Sequence, residues 1–252
     1  MYISSSSFSY RLLSGLLFCL LIACRNEADS NNQYVNKWIG TGLEGRVAPV
    51  ASVPFGMMQI GADTRPYGAG YHYDDPSILG FSHLHKSGGG CADFLDILFM
   101  PLPLNSGMAD EELYSKQHQA VLSHKDEKAE PGYYSVGLYD KQLTVELTAS
   151  RRCGLQRYTY ASEGEIPVIV DLKYGSESAC TIQSEHDVDT VYASAFEWVD
   201  PYTVRGYRCS NGWTPGQQVY FYSTFSTPIK ECVLYVDEQM KTVVNTKYPE
   251  EM

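Results

Sequence analysis

Strand-length runs, each closed within a few residues by glycine, proline, asparagine or aspartate, dominate the sequence after Asn31. They leave little room for any other architecture. "GMMQIGAD", "DILFMPL", "YYSVGLYD", "LTVELTAS", "LQRYTYAS", "IPVIVDLKY", "TVYASAFEWV", "YTVRGYR", "QQVYFYSTFS" and "ECVLYVDE" follow one another in this way. Successive side chains of an extended chain point to opposite faces. In "LTVELTAS" that places Leu143, Val145 and Leu147 on one side and Thr144, Glu146 and Thr148 on the other. About ten such runs without sustained 3.6-residue periodicity predict an all-β fold, an antiparallel β-sandwich of two sheets. A hydrophobic fraction of 44% suffices to fill its core. The stretch "GMADEELYSKQHQAVLSHKDEKAEPGYY" breaks the pattern and reads as a surface excursion, with a short helical turn over 111–114.

The extreme N-terminus follows different rules. Leu12 to Ala23 is an apolar run interrupted by Ser14 and Gly15 and preceded by Arg11. It is too short to span a bilayer and has the length of a signal-peptide core. It ends in Leu21-Ile22-Ala23-Cys24, which resembles the lipobox of bacterial lipoproteins, where cleavage leaves the cysteine to be lipidated. The expectation is a leader over residues 1–23, a lipid anchor on Cys24, a polar tether over residues 24–32 and one domain over residues 33–252. Such a chain resides in the bacterial cell envelope and meets the membrane through its lipid alone. Cys91, Cys153, Cys180, Cys209 and Cys232 then remain, an odd set without a CxxC pair, so neither a zinc ribbon nor a full disulfide framework is indicated. A net charge of −11 with no basic run argues against nucleic-acid binding.

Chemistry-bearing residues concentrate in "GFSHLHKSGGGCAD", residues 80–93. On a strand, His83 and His85 would share a face, a spacing that suits two imidazole metal ligands, with Cys91, Asp93, Asp96 or His72 as the third. No second half of a metal motif accompanies them. The preferred reading is therefore two buried imidazoles, each bonded to a backbone carbonyl, and no metal site in this chain. The run Lys86-Ser87-Gly88-Gly89-Gly90 lacks the order of a P-loop, and Ser87 does not sit in GxSxG. Three glycines supply instead a backbone that can approach a ligand closely. Asp93 and Asp96 are read as turn residues rather than a catalytic pair. "YGAGYHYDD" sets Tyr67, Tyr71, His72 and Tyr73 beside glycines, a composition equally suited to stacking on sugar rings and to a sandwich edge.

Four ordered blocks, "YVNKWIGTG", the stretch from "VPFGMMQIGAD" through "GFSHLHKSGGGCADFLDILFMP", "LTVELTASRRCGLQRYTY" and "GYRCSNGWTPGQQVYFYSTFS", resemble the N-terminal domain of glycoside hydrolase family 92. That resemblance implies a sandwich of the galactose-mutarotase-like supersandwich type. It implies membership of calcium-dependent, inverting exo-α-mannosidases that act on mannose-containing glycans. It also implies a larger C-terminal α-helical barrel domain that carries the catalytic acid and base and most of the Ca2+ ligands. Under it, no catalytic residue belongs to this chain, and Tyr71, His83, His85, Ser87, Gly88 and Cys91 form the rim of a pocket that the barrel completes. The other reading is a stand-alone carbohydrate-binding lipoprotein using Tyr71, Tyr73 and Trp213. Two departures stand out: residues 45–51 replace a Gly-His and Pro-Gly-Ala pattern frequent in the family, and Gln156 stands where a histidine is common.

Overall fold

The computed structural model describes residues 31–106, 119–177, 187–236 and 239–242. The leader, Cys24, most of the tether, the helical turn over 111–114 and Cys180 fall outside the described residues. Two units are distinguished, residues 1–35 and 36–252. The described part of the first is a 3-10 helix, Asn31–Tyr34. The second holds the strands β1 (Ala51–Ser52), β2 (Gln59–Asp63), β3 (Ser77–Ile78), β4 (Gly80–Ser82), β5 (Leu98–Pro101), β6 (Ala120–Val121), β7 (Glu127–Glu130) and β8 (Tyr133–Leu138). These are followed by β9 (Leu143–Ala149), β10 (Gly154–Tyr160), β11 (Val168–Asp171), β12 (Thr190–Asp200), β13 (Thr203–Asn211), β14 (Gln217–Thr224), β15 (Val233–Val236) and β16 (Gln239–Thr242).

Every pairing between these strands is antiparallel. A five-stranded sheet, β1-β2-β4-β5-β11, lies against a four-stranded one, β10-β9-β8-β7. The alternation in β9 is realised as read, with Leu143, Val145 and Leu147 fully buried between the sheets. Ile60, Phe81 and Met100 meet them there from the first sheet, with Tyr134, Val136 and Leu138 completing the layer. Each such aliphatic or aromatic side chain contributes roughly 1.5–3 kcal/mol by leaving water. A third sheet, β12-β13-β14, adds to the expected two and is tied to the segment that leads into β5 by a buried ion pair between Arg208 and Asp96.

Much of the expected excursion is in fact structured. Residues 120–130 supply β6, a 3-10 helix (His124–Asp126) and β7. The charged composition concealed this because Glu127 is turned inward: its carboxylate accepts hydrogen bonds from Tyr71 Oη at 2.9 Å and Tyr134 Oη at 2.6 Å. His124 Nδ1 lies 2.7 Å from the same group. A buried carboxylate is tolerable only with such partners. The connections are short and locally specified. Tyr139, Asp140 and Lys141 all take positive φ in the β8–β9 loop, and Asp200 Oδ1 accepts the amide of Tyr202 across the β12–β13 turn.

Candidate functional site

Strand β4 stops at Ser82, so His83 and His85 lie on the irregular segment after it and their rings diverge. His83 Nδ1 donates to Ile97 O at 2.8 Å, and its Nε2 lies 3.2 Å from Gln156 Nε2, which donates to it. Tyr158 Oη in turn donates to Gln156 Oε1 at 2.8 Å, fixing the amide orientation. Burial holds the His83 imidazole below its ordinary pKa, matching this neutral tautomer. Gln156, at the position where the family resemblance leads one to expect histidine, thus acts as a partner for His83.

His85 points the other way. Its Nδ1 donates to Gln59 O at 2.8 Å, and its Nε2 lies 3.3 Å from Asp63 Oδ1. Burial lowers its pKa, but the Asp63 carboxylate, aided by the Gln59 and Ala62 carbonyls, raises it more and favours an imidazolium. Asp63 Oδ2 accepts the amide of Ser82. Each histidine bonds a backbone carbonyl, as the sequence suggested. Together with Gly70, which packs on both Asp63 and His85, these groups form a rigid floor.

Above that floor, residues 86–91 run along the surface. Ser87 and Gly88 are exposed, and Cys91 is half-buried. Three braces hold the segment. Gly88 N donates to Arg46 O at 2.6 Å, from the loop over 40–47. Lys86 Nζ donates to Asp93 O at 3.2 Å, closing the segment on itself. Trp213 N donates to Ala92 O at 3.1 Å, from the β13–β14 turn. Thr214 adds two bonds to Asp93, from its amide at 3.0 Å and its hydroxyl at 2.8 Å. A Cβ on Gly212 would overlap Ala92 O, so only glycine permits this approach.

The sequence did not link Trp213 to this loop; the fold does. Trp213 itself is 64% exposed. Tyr71, expected at the rim, is 2% exposed and belongs to the core, because its hydroxyl is held by buried Glu127. Tyr73 retains surface and stacks on His124 at 3.9 Å. His72 Nε2 bonds Leu43 O at 3.1 Å, tying the aromatic stretch to the same loop that receives Gly88.

The carboxylates near the loop are occupied. Asp96 has no exposed side-chain surface and pairs with Arg208 Nη1, while Gln217 Nε2 donates to its other oxygen at 3.1 Å. Arg208 Nη2 reaches Asp189 Oδ2 at 2.7 Å. Burial pushes the Asp96 carboxyl up to about 6 against the opposing pull of Arg208. Phe94, Leu95 and Ile97 flank it with positive φ, a strained backbone that the ion pair and the His83–Ile97 bond secure. The residues present do not fit a Ca2+ ion, which wants six to eight oxygens. Asp93 and Asp96 spend theirs on Thr214, Gln217 and Arg208, and no group of three or more His, Cys, Asp or Glu that could hold a metal occurs among the described residues.

The model of the glycosyl hydrolase family 92 N-terminal domain matches residues 34–250. The chain belongs to glycosyl hydrolase family 92. The structure of a family 92 α-mannosidase from Bacteroides thetaiotaomicron, in complex with mannoimidazole, is 29% identical, with a TM-score of 0.73. The match covers 84% of this chain and 27% of that one. A family 92 inverting mannosidase from the same organism, at 24% identity and a TM-score of 0.63 over 83% of this chain, shares the fold. A curated relative from Arthroderma benhamiae, an uncharacterized secreted glycosidase, is 30% identical over 174 residues, 65% of this chain and 22% of its own length. The family 92 chain described here therefore spans about a quarter of the relatives it matches.

Proposed function

We propose that this family 92 domain is the N-terminal, pocket-completing part of a glycan-degrading exo-α-mannosidase of the inverting type, inactive on its own. The observation that carries the reading is the surface loop over 86–91, closed on itself by Lys86 and braced by the loop over 40–47 and by the β13–β14 turn, on a domain that corresponds to 27% of an α-mannosidase chain. Ser87, Gly88 and Cys91, with Trp213 beside them, form the rim that faces a mannose-containing glycan. His83, His85 and Tyr71 act from beneath by fixing the floor.

Inversion requires an acid on one side of the glycosidic bond and a base that activates water on the other, with carboxyl groups roughly 6.5–9.5 Å apart. Asp93 and Asp96 are committed to Thr214, Gln217 and Arg208 and offer no free pair for that task. The family resemblance implies that the acid, the base and most of the Ca2+ ligands come from a C-terminal α-helical barrel domain, which leaves this domain to bind, orient and exclude water. The secreted fungal relative fits residence outside the cytoplasm or in the cell envelope, and the Leu21-Ile22-Ala23-Cys24 sequence supports a lipid on Cys24 as the anchor.

The test joins this domain to a family 92 barrel domain and measures mannose release from α-mannosides with Ca2+. The joined enzyme should be active and the purified chain alone should not. Ser87→Ala with Cys91→Ser should lower kcat/KM of the joined enzyme at least tenfold without shifting its melting temperature. Release of mannose by the isolated chain, abolished by Asp93→Asn, would refute the reading.

A further inference from the structure

We propose that the outer face of the third sheet, centred on Tyr220 and Tyr222, is a second glycan-binding surface, a flat platform for a neutral oligosaccharide, separate from the glycine-rich loop. The choice of sugar rests on the mannosidase reading above; the platform itself rests on the geometry of β13 and β14.

Strand β14 alternates strictly, with Gln218, Tyr220 and Tyr222 outward and Val219 and Phe221 on the other side. Tyr220 and Tyr222 are 69% and 67% exposed. Antiparallel register sets Tyr220 opposite Tyr207, and Tyr222 opposite Arg205. The Tyr207 and Tyr220 rings stand 5.7 Å apart, inclined by 45°. Tyr220 Oη donates to Gln218 Oε1 at 3.1 Å, two residues along the same strand. A tyrosine standing upright from the sheet cannot reach that side chain. The ring therefore reclines along the strand and remains largely open to solvent. On the far side of Tyr207 the register places Ala195, too small to cover it.

An open aromatic face carries partial negative charge and attracts the C–H groups on the flat side of a pyranose ring. Alternate residues on a strand lie roughly 6.6–6.8 Å apart, so Tyr220 and Tyr222 offer two successive stacking positions. The charge agrees with a neutral ligand. The chain carries −11 overall, yet the ionic groups beside the rings, Arg205 and Glu197, neutralise each other at 2.6 Å. Two aromatic rings on alternate residues of one strand give a footprint suited to a short oligosaccharide.

Native affinity electrophoresis of the purified chain in gels with and without yeast mannan tests the platform. The chain should be retarded by mannan, and Tyr220→Ala with Tyr222→Ala should raise the apparent Kd at least tenfold while the circular dichroism spectrum and melting temperature stay unchanged. Ser87→Ala with Cys91→Ser should leave retardation intact. An unretarded chain, retention of full affinity in the tyrosine variant, or a loss confined to the loop variant would each overturn the proposal. So would a dimer in sedimentation that the tyrosine substitutions dissociate, since the face would then be a protein interface. An active joined enzyme with an unretarded chain overturns the platform alone, whereas an inactive joined enzyme with retardation that depends on Tyr220 and Tyr222 overturns the mannosidase reading and leaves the platform standing.

Discussion

His85 Nε2 lies 3.3 Å from Asp63 Oδ1, and neither side chain reaches solvent. His85 immediately precedes the glycine-rich loop, with its Nδ1 fixed to Gln59 O, and Asp63 Oδ2 accepts Ser82 N. A histidine whose pKa is raised in the folded state binds its proton more tightly there than when unfolded. Its stabilisation is complete below the ordinary value of 6.5 and disappears as pH rises through the raised value.

The share of the melting temperature that His85 supplies should accordingly fall as pH is increased above about 6.5, the unperturbed histidine value. His83, held neutral by burial, acts in the opposite sense until its unfolded form has lost its proton, so the slope due to His85 is read as the difference between the parent and a His85 variant. Differential scanning calorimetry between pH 6 and 9 measures the slope. His85→Gln should be less stable at pH 6 and should lose most of that slope; an unchanged slope would show that the Asp63–His85 pair is not its source.

Arg208 is shared by Asp96 and Asp189, and all three side chains are without solvent exposure. Arg208→Met leaves two buried carboxylates unpaired, which costs about 3–5 kcal/mol. Urea denaturation should show that loss. Combining Arg208→Met with Asp96→Asn and Asp189→Asn keeps the volume while removing every charge of the cluster, and this triple variant is expected to recover part of the stability.

Gly70 takes φ of +84°, and a Cβ there would stand 2.6 Å from Asp63 Oδ1 and 2.6 Å from Leu95 Cδ2. Gly70→Ala therefore combines an unfavourable backbone, of order 1–3 kcal/mol, with a clash against the buried pair. A drop in urea midpoint is expected, whereas Gly88→Ala meets no neighbour and carries the backbone cost alone.

Tyr71 and Ser87 should separate stability from binding. Tyr71→Phe removes a donor from buried Glu127 and is expected to cost about 1–3 kcal/mol. Ser87→Ala on the exposed loop should stay within about 0.5 kcal/mol of the parent. Paired urea titrations distinguish the two, and equal losses would place Ser87 in the structural frame.

The sandwich was legible in the sequence because strand alternation is local: the burial of Leu143, Val145 and Leu147 follows from neighbours two residues apart. The punctuation that ends each run is local too, so the strands from β8 through β10 and from β12 through β14 were readable in order. Charged composition hid β7, since the inward turn of Glu127 depends on hydroxyls from Tyr71 and Tyr134 that only folding assembles. The importance of residues 80–93 was visible in their composition, and so was the expectation that each histidine would bond a carbonyl. Which carbonyl, and which carboxylate, was not. Asp96 and Arg208 are 112 residues apart, and Trp213 meets Ala92 only where the β13–β14 turn crosses the loop. Residue type determines what a side chain can bond with; only the packing of distant strands determines which partner comes within reach. That is why the sequence specified the sandwich and the loop, while the tertiary structure decided that Tyr71 lies in the core and Trp213 at the surface.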